Sequence, residues 1–384
     1  MSTRPRHFII IAGEASGDTH AAHLVNSILE IKPNTRFSGL GGPKMRESGV
    51  ELYEDLTKVA VVGFTEVLKH FQFFRKCFYL ILKKVQEIRP DAVILVDYPG
   101  FNLRLAKKLK KLGCKVIYYI SPQVWAWKES RVNLIKKCVD KMIVIFPFEK
   151  EFYQKHHYAV EYCGHPLLDI LQVKKNNEEF LKSVGLSTAK LTIGLLPGSR
   201  NKEVDRHFPV MFQAAQMIHK RFPQTQFIVA RAPTINGLNM DQQQFTFPGG
   251  IPIPIRVVEE KFYDCINACN FCIVASGTAT LEVALFNKPM VIVYKTSCVS
   301  FLLAKLFVKI PYVGMVNVLA GKKIVPECLQ RQANPNHIAK ACLDLLTDET
   351  KLAEMKSELK KVRDALGEQG ASDRAAKEVI KIVS

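Results

Sequence analysis

The chain has 384 residues, 48% of them hydrophobic and 23% charged, with a net charge of +18 from 54 Lys and Arg against 36 Asp and Glu. At roughly 150 residues per domain, this length predicts two domains whose cores need neither disulfides nor a structural metal. No stretch of about 18 consecutive apolar residues occurs, which excludes a bilayer-spanning helix; no internal repeat or low-complexity tract occurs either. The positive surface should attract anions, whether nucleic acid, acidic lipid or phosphorylated substrates, and charge alone does not choose among them. Residues 1–7 are short and polar and lack a signal-peptide pattern, and the ten Cys are irregularly spaced. Reduced thiols in the cytoplasm are therefore expected.

Short β-rich runs alternate with longer helical patterns. Predicted strands in the first half are Phe8–Ala12, Ala92–Val96, Lys115–Ile120 and Met142–Phe146. In the second half they are Thr192–Leu196, Gln226–Ala230, Ile255–Val258, Phe271–Ala275 and Met290–Tyr294. These runs are continuously apolar, as parallel strands covered by helices on both faces read. The fold class expected is α/β, with two Rossmann-like doubly wound domains and a cleft between them at the carboxyl ends of their strands. The polar segment 172–190 reads as the linker and the entry to the second domain. The boundaries expected are 1–170 and 171–365, with a charged C-terminal helix over about 366–384 returning to the first domain or to a partner chain.

The first strand ends in AGEASGD (12–18), where Gly13 and Gly17 permit close backbone approach and Ser16 and Asp18 open a helix. A helix N-terminus after a Gly-rich turn favours an anion, although such turns also serve packing alone. A second Gly-rich turn, GLGGPKM (39–45), follows the next expected strand. The segment VDYPGFN (96–102) places Asp97 at the carboxyl end of a buried strand, as a general base or as a capping or paired carboxylate. Both Trp residues lie in SPQVWAWK (121–128), a loop suited to stacking or to apolar packing. In the second half, LPGSR (196–200) sets Ser199 and Arg200 at a helix start, a match for a diphosphate. The run SGTATLE (276–282) offers Ser276, Gly277 and Thr278 as another anion cradle. Glu282, further along the helix, is a carboxylate able to accept ribose hydroxyls or a member of a solvated face.

Together with NVLAGKKIVPECLQ (317–330), FPFE (146–149) and YCGHPL (162–167), these motifs in this order resemble the lipid A disaccharide synthase family of two-domain (GT-B) glycosyltransferases. The resemblance runs from Gly13 to Gln330. It implies inverting transfer of 2,3-diacylglucosamine from UDP-2,3-diacylglucosamine to 2,3-diacylglucosamine 1-phosphate (lipid X), giving a β-1,6 disaccharide and UDP. It further implies Asp97 as the base, with Glu14 facing the reacting sugars. Ser199, Arg200, Ser276, Gly277, Thr278, Glu282, Asn317, Glu327 and Gln330 would line the UDP site, with Arg200 stabilising the departing diphosphate. Gly13, Ser16, Gly17 and Asp18 would lie in the substrate cleft. Cys163 departs locally from the family pattern, without bearing on the chemistry. No Asp-x-Asp pair is placed to hold a metal, so neither metal nor cofactor is expected.

Residues 59–85 interleave aromatic and apolar side chains with Lys and Arg. Such an amphipathic stretch suits a bilayer interface, and the acylated substrates favour that reading. Phe64, Val67, Leu68, Phe71, Phe74 and Phe78 are the contacts expected with the cytoplasmic face of the inner membrane, where the protein would be peripheral; residues 299–310 are a weaker candidate. Cys265, Cys269 and Cys272 have a spacing shared with iron–sulfur enzymes. One lies in a predicted strand and two on a helical pattern, so buried packing is the better reading. A homodimer is the favoured assembly. Competing readings are another UDP-sugar enzyme, such as a peptidoglycan N-acetylglucosaminyltransferase or a UDP-GlcNAc epimerase, and a basic nucleic-acid-binding protein. The last lacks any recognition motif, and no nucleic-acid partner is expected.

Overall fold

The computed structural model describes residues 5–57, 71–232, 235, 251–259, 261–297, 301 and 311–383. The chain divides into two compact units, Met1–Asp169 with Leu366–Ser384, and Ile170–Ala365.

In the first unit the strands are β1 (His7–Ala12), β2 (Arg36–Gly41), β3 (Glu51–Asp55), β4 (Ala92–Val96), β5 (Val116–Tyr119), β6 (Lys141–Val144) and β7 (Glu161–Tyr162). They form one sheet in the order β3-β2-β1-β4-β5-β6-β7, with every pairing parallel. Helices α1 (Ala15–Ile31), α2 (Pro43–Glu47), α3 (Phe71–Ile88), α4 (Pro99–Lys111), α5 (Val132–Cys138), α6 (Pro147–Lys155) and α7 (Leu167–Ile170) connect or cover the strands. The central strands explain their own sequence: Phe8–Ala12 and Ala92–Val96 are wholly inaccessible to solvent. A sheet covered on both faces leaves no polar side for alternation.

The second unit repeats the plan. Its strands β8 (Leu191–Leu196), β9 (Thr225–Arg231), β10 (Ile255–Glu259), β11 (Phe271–Ala275), β12 (Met290–Tyr294) and β13 (Glu327–Leu329) run in the order β10-β9-β8-β11-β12-β13, again all parallel. The helices described are α8 (Asn177–Ser183), α9 (Asn201–Arg221), α10 (Phe262–Ala268), α11 (Thr278–Leu285), α12 (Met315–Ala320), α13 (Pro335–Leu346) and α14 (Glu349–Ala365). Each sheet is therefore a doubly wound one whose strand order reverses beside its first strand. Crevices at the carboxyl ends open at such reversals: between β1 and β4 in one unit, and between β8 and β11 in the other.

The last helix, α15 (Ala371–Val383), belongs to the first unit. Asp169 accepts the backbone N–H groups of Gly370 at 2.6 Å and Ser372 at 2.8 Å, so a carboxylate sits on the N-terminus of α15. That placement satisfies donors the helix cannot use itself and complements its dipole. Ser27 on α1 donates to Asp373 at 2.6 Å, and Arg374 donates to the carbonyl of Cys163 at 2.9 Å. Cys163, where the sequence departs from the family pattern, is a buried side chain under this seam.

Among the membrane contacts expected from sequence, Phe64, Val67 and Leu68 lie outside the described residues, as does nearly all of 299–310. Helix α3 corrects part of the rest. Its buried residues are Cys77, Ile81 and Val85, and Phe74 and Phe78 lean inward with them. The ring of Phe74 lies 6.2 Å from that of Tyr98, and Phe78 meets Phe101 edge-on at 5.8 Å. These two Phe residues pack on the turn and helix that follow Asp97, while Phe71 is 52% exposed and Tyr79 59%. Cys265 and Cys269 lie on and just beyond α10, and Cys272 lies in β11, all three buried. Burial pushes the Cys265 thiol up to about 12.

Candidate active site

In the first unit the site is built where β1 and β4 end. Asp97 and Tyr98 both have positive φ, +45° and +47°. Left-handed backbone at two consecutive residues other than Gly costs of order 1–2 kcal/mol each, so the surroundings must hold it. They do. The Asp97 N–H donates to the carbonyl of Tyr119 at 3.0 Å. The Asp97 carbonyl accepts the hydroxyl of Tyr118 at 2.5 Å and Nδ2 of Asn102 at 2.8 Å. Tyr118 and Asn102 are fully buried. Next to this turn, the Tyr98 ring lies over Gly13, where a Cβ would fall 2.3 Å from the ring. Gly13 therefore serves the fit between the two loops. Burial pushes the Asp97 carboxyl up to about 7, and the Glu14 carboxylate adds to the shift. A carboxyl near 7 is poised to take a proton at neutral pH.

The remaining residues expected around the first Gly-rich turn divide. Ser16 is exposed on the first turn of α1. Gly17 faces Ala12 and Val96 at ordinary contact distance, so its neighbours suit packing. Asp18 is a correction: it is 2% exposed and accepts the N–H groups of Gly42 at 2.7 Å, Lys44 at 2.9 Å and Met45 at 3.1 Å. Its carboxylate clamps the GLGGPKM turn to α1 and has no face left for a substrate.

In the second unit the loops after β8, β11, β12 and β13 make one rim. Arg200 is the N-cap residue of α9, and its guanidinium contacts Glu203 at 3.0 Å. Glu203 also accepts the Ser199 N–H at 3.3 Å. His207, one turn further on, is 1% exposed and joins two loops. The Lys295 N–H can only donate, so Nε2 of His207 accepts it, at 3.0 Å. Nδ1 then carries the proton and donates to the Pro197 carbonyl at 3.0 Å. Burial lowers the His207 pKa, which keeps this neutral tautomer.

Ser276 donates to the carbonyl of Val313 at 3.1 Å, Gly277 is the N-cap residue of α11, and Thr278 is exposed at its first turn. First-turn N–H groups of a helix lack intrahelical partners and can receive an anion. Glu282 accepts the Tyr263 hydroxyl at 3.0 Å, and burial pushes its carboxyl up to about 7. Gln330 has φ +50° and accepts the Thr296 N–H through Oε1 at 3.3 Å, while its Nε2 is buried with no hydrogen-bond partner.

One residue expected to line a UDP site is corrected. Asn317 is fully buried and every polar position on its side chain is engaged: Oδ1 accepts Ile324 and Val325 N–H, and Nδ2 donates to Val325 and to Glu327. Glu327 in turn accepts the N–H groups of Val313 and Gly314 at 3.1 and 2.9 Å, clamping the entry to α12. Both shape the loop that Ser276 touches.

The fold built this way is found in solved structures of low sequence identity. One is the glycotransferase of kitacinnamycin, with TM-score 0.64 and 12% identity over 99% of this chain and 100% of that one. Another is the S. aureus MnaA–UDP structure, with TM-score 0.65 and 13% identity over 98% of this chain and 96% of that one. Two doubly wound parallel units with polar rims at their reversal points define the GT-B fold. The family model described as lipid-A-disaccharide synthetase matches residues 8–383. The lipid-A-disaccharide synthase of Trichlorobacter lovleyi is 42% identical over 99% of this chain and 98% of its own length. The chain belongs to the lipid-A-disaccharide synthetase family.

Proposed function

We propose that this glycosyltransferase moves 2,3-diacylglucosamine from UDP onto the 6-hydroxyl of lipid X, with Asp97 as the general base. The observation that carries this reading is Asp97 itself. Its backbone is held in a strained turn, and its carboxyl is pushed up to about 7. Glu14, the neighbouring acid, keeps the proton affinity of Asp97 high until the acceptor arrives and orients the sugar hydroxyls.

An attacking hydroxyl loses its proton as the new bond forms at the anomeric carbon. A carboxylate of matched pKa accepts it, a contribution of roughly 10²–10⁴ in rate. Charge develops at the same time on the departing diphosphate. In the second unit Arg200 and the first-turn N–H groups of α9 and α11 supply fixed positive ends for that charge. Ser199, Ser276, Gly277 and Thr278 form the walls of that cradle. Glu282 accepts the ribose hydroxyls, and Gln330, with its unpaired amide nitrogen, donates to the nucleoside.

The acylated substrates call for a bilayer. No described helix is long and apolar enough to cross one. We assign peripheral attachment at the cytoplasmic face of the inner membrane to the segment leading into α3, with Phe71 and the exposed basic residues Arg75 and Lys76 at its described end. The two units act as the acceptor-binding domain, 1–170 with the C-terminal helix, and the UDP-sugar-binding domain, 171–365. A homodimer is the assembly we favour.

The test is single-turnover release of UDP from UDP-2,3-diacylglucosamine with lipid X in detergent micelles, for wild type and Asp97→Ala. Wild type makes disaccharide, and the variant binds UDP but loses orders of magnitude in rate. If wild type makes none and instead turns over UDP-N-acetylglucosamine, the acyl-sugar assignment fails.

A further inference from the structure

The loop after β5 carries a group of cations that the mechanism above does not use. Trp127 is 36% exposed. Lys128 Nζ stands over its ring at 4.8 Å from the centre, and the Arg131 guanidinium at 5.0 Å. Lys128 has φ +56°, so the chain turns through a left-handed residue to place it. Arg131 is partly buried, and Arg104, exposed on α4, lies near enough to add its charge to the burial that lowers the Arg131 pKa. Among the described residues, none of Arg104, Lys128 and Arg131 has a carboxylate within ion-pair distance. The one acid of the loop, Glu129, contacts His156 at 3.1 Å.

The loop that carries this cluster leaves the sheet next to Asp97: β5 pairs with β4, Val96 opposite Tyr119, and the Asp97 N–H donates to the Tyr119 carbonyl at 3.0 Å. Three cations gathered without an acid repel one another, and their energy falls when an anion enters. Two guanidinium forks and an ammonium suit phosphate oxygens: the forks bind in pairs and the ammonium acts as a point charge.

We propose that Arg104, Lys128 and Arg131 form a phosphate-monoester site beside Asp97 that holds the anionic group of the acceptor. This rests on the reading of Asp97 as the base and of the first unit as the acceptor's. The site would orient the acceptor by its phosphate end and aim its free hydroxyl at the carboxylate. It would also set specificity, since an acceptor without the phosphate leaves the cations unpaired. The same chemistry could meet a bilayer headgroup, and the experiment separates the two sources.

Initial rates are measured in neutral detergent with lipid X and with its 1-dephospho analogue, for wild type, Arg131→Ala and Lys128→Ala. The expected result is a wild-type preference for the phosphorylated acceptor that falls about tenfold or more in each variant, through KM rather than kcat. An equal loss on both acceptors overturns the site. So does a defect that appears only on phosphatidylglycerol-containing phosphatidylcholine vesicles, which would assign the cations to the bilayer. A binding arm needs no turnover. In a Trp125→Phe background, glucosamine 1-phosphate should shift Trp127 fluorescence where glucosamine does not, and Arg131→Ala should abolish the shift. If wild type makes no disaccharide yet this selective shift persists, the acceptor reaction falls and the phosphate site stands. Absence of the shift overturns the site whatever the turnover.

Discussion

The hydroxyl of Tyr118 and the side-chain amide of Asn102 converge on one atom, the main-chain carbonyl oxygen of Asp97, at 2.5 and 2.8 Å. Neither touches the Asp97 carboxylate, so they are positioning residues: they hold the left-handed turn that aims it. Tyr118→Phe and Asn102→Ala should each lower kcat, because a misplacement near 1 Å costs roughly 10²-fold. UDP affinity, which the proposal gives to the other unit, should not move. Steady-state kinetics beside calorimetric UDP titration checks this. A loss of UDP binding in either variant would mean general unfolding instead.

The Asp97 carboxyl, pushed up to about 7, predicts a pH profile. As the proposed base, Asp97 must be ionised, so kcat/KM should rise from acid to neutral pH with a midpoint about 7, and Asp97→Asn should remove both the rise and most of the rate. Stability should run the other way. Between the ordinary carboxyl value of 3.8 and about 7 the native state binds more protons than the unfolded chain. Asp97 therefore lowers stability as pH rises through that window. Denaturant titrations of wild type and Asp97→Asn across this range should show the variant gaining stability relative to wild type as pH increases.

The central strands were legible because β1, β4, β8, β11 and β12 are apolar on both faces, a pattern only a covered parallel sheet requires. The edge strands β7 and β13, of two and three residues, are too short to carry a period, and no sequence signal marks them. The motif residues were legible as a set, but their division of labour was not. Asp18 and Asn317 open helices that follow Gly-containing turns and Glu327 opens a short strand, and in sequence such polar residues look the same whether they face a ligand or a backbone. Only the three N–H groups around Asp18 and the saturated amide of Asn317 settle it. Phe74 and Phe78 looked like bilayer contacts because an amphipathic helix shows how much apolar surface it has, not which neighbour covers it. His207 escaped notice because a lone His within a helix carries no pattern. Its one cue is the position seven residues after Arg200.

Gly13 should be intolerant of any side chain. A Cβ there would lie 2.3 Å from the Tyr98 ring, which is itself held against Phe74 and Phe101. Gly13→Ala must displace the ring or the β1 loop, and overpacking of this kind costs about 1–3 kcal/mol. Because Tyr98 follows Asp97, the variant should lose activity beyond what its stability loss explains. Gly17→Ala, with only ordinary contacts around its Cβ, is the control and should be near neutral in stability. Thermal melts and rates measured on both variants distinguish a specific loop clash from a general demand for Gly in the turn.

The bridge made by His207 is sensitive to acid. As a neutral ring it donates from Nδ1 to Pro197 and accepts at Nε2 from Lys295, tying the loop after β8 to the loop after β12. Protonation would put a second hydrogen on Nε2, which would then lose the Lys295 N–H and turn to the Lys295 carbonyl at 3.2 Å, so the tie would change its geometry. The folded-state pKa is lowered by burial, so below the ordinary His value of 6.5 the unfolded chain binds a proton that the native state does not. Stability from this group is present above 6.5 and is lost as pH falls through the lowered value. His207→Ala should remove that pH dependence and take the acceptor from the part-buried Lys295 N–H, a cost of about 0.5–1.5 kcal/mol for one lost hydrogen bond. Since the Pro197 loop carries Ser199 and Arg200, UDP affinity should fall with it, and His207→Gln, which keeps a donor and an acceptor, should restore part of both. Urea titrations at neutral and mildly acid pH, with UDP binding measured alongside, would reveal the coupling. A variant that loses stability but binds UDP like wild type would show that the bridge serves the fold alone.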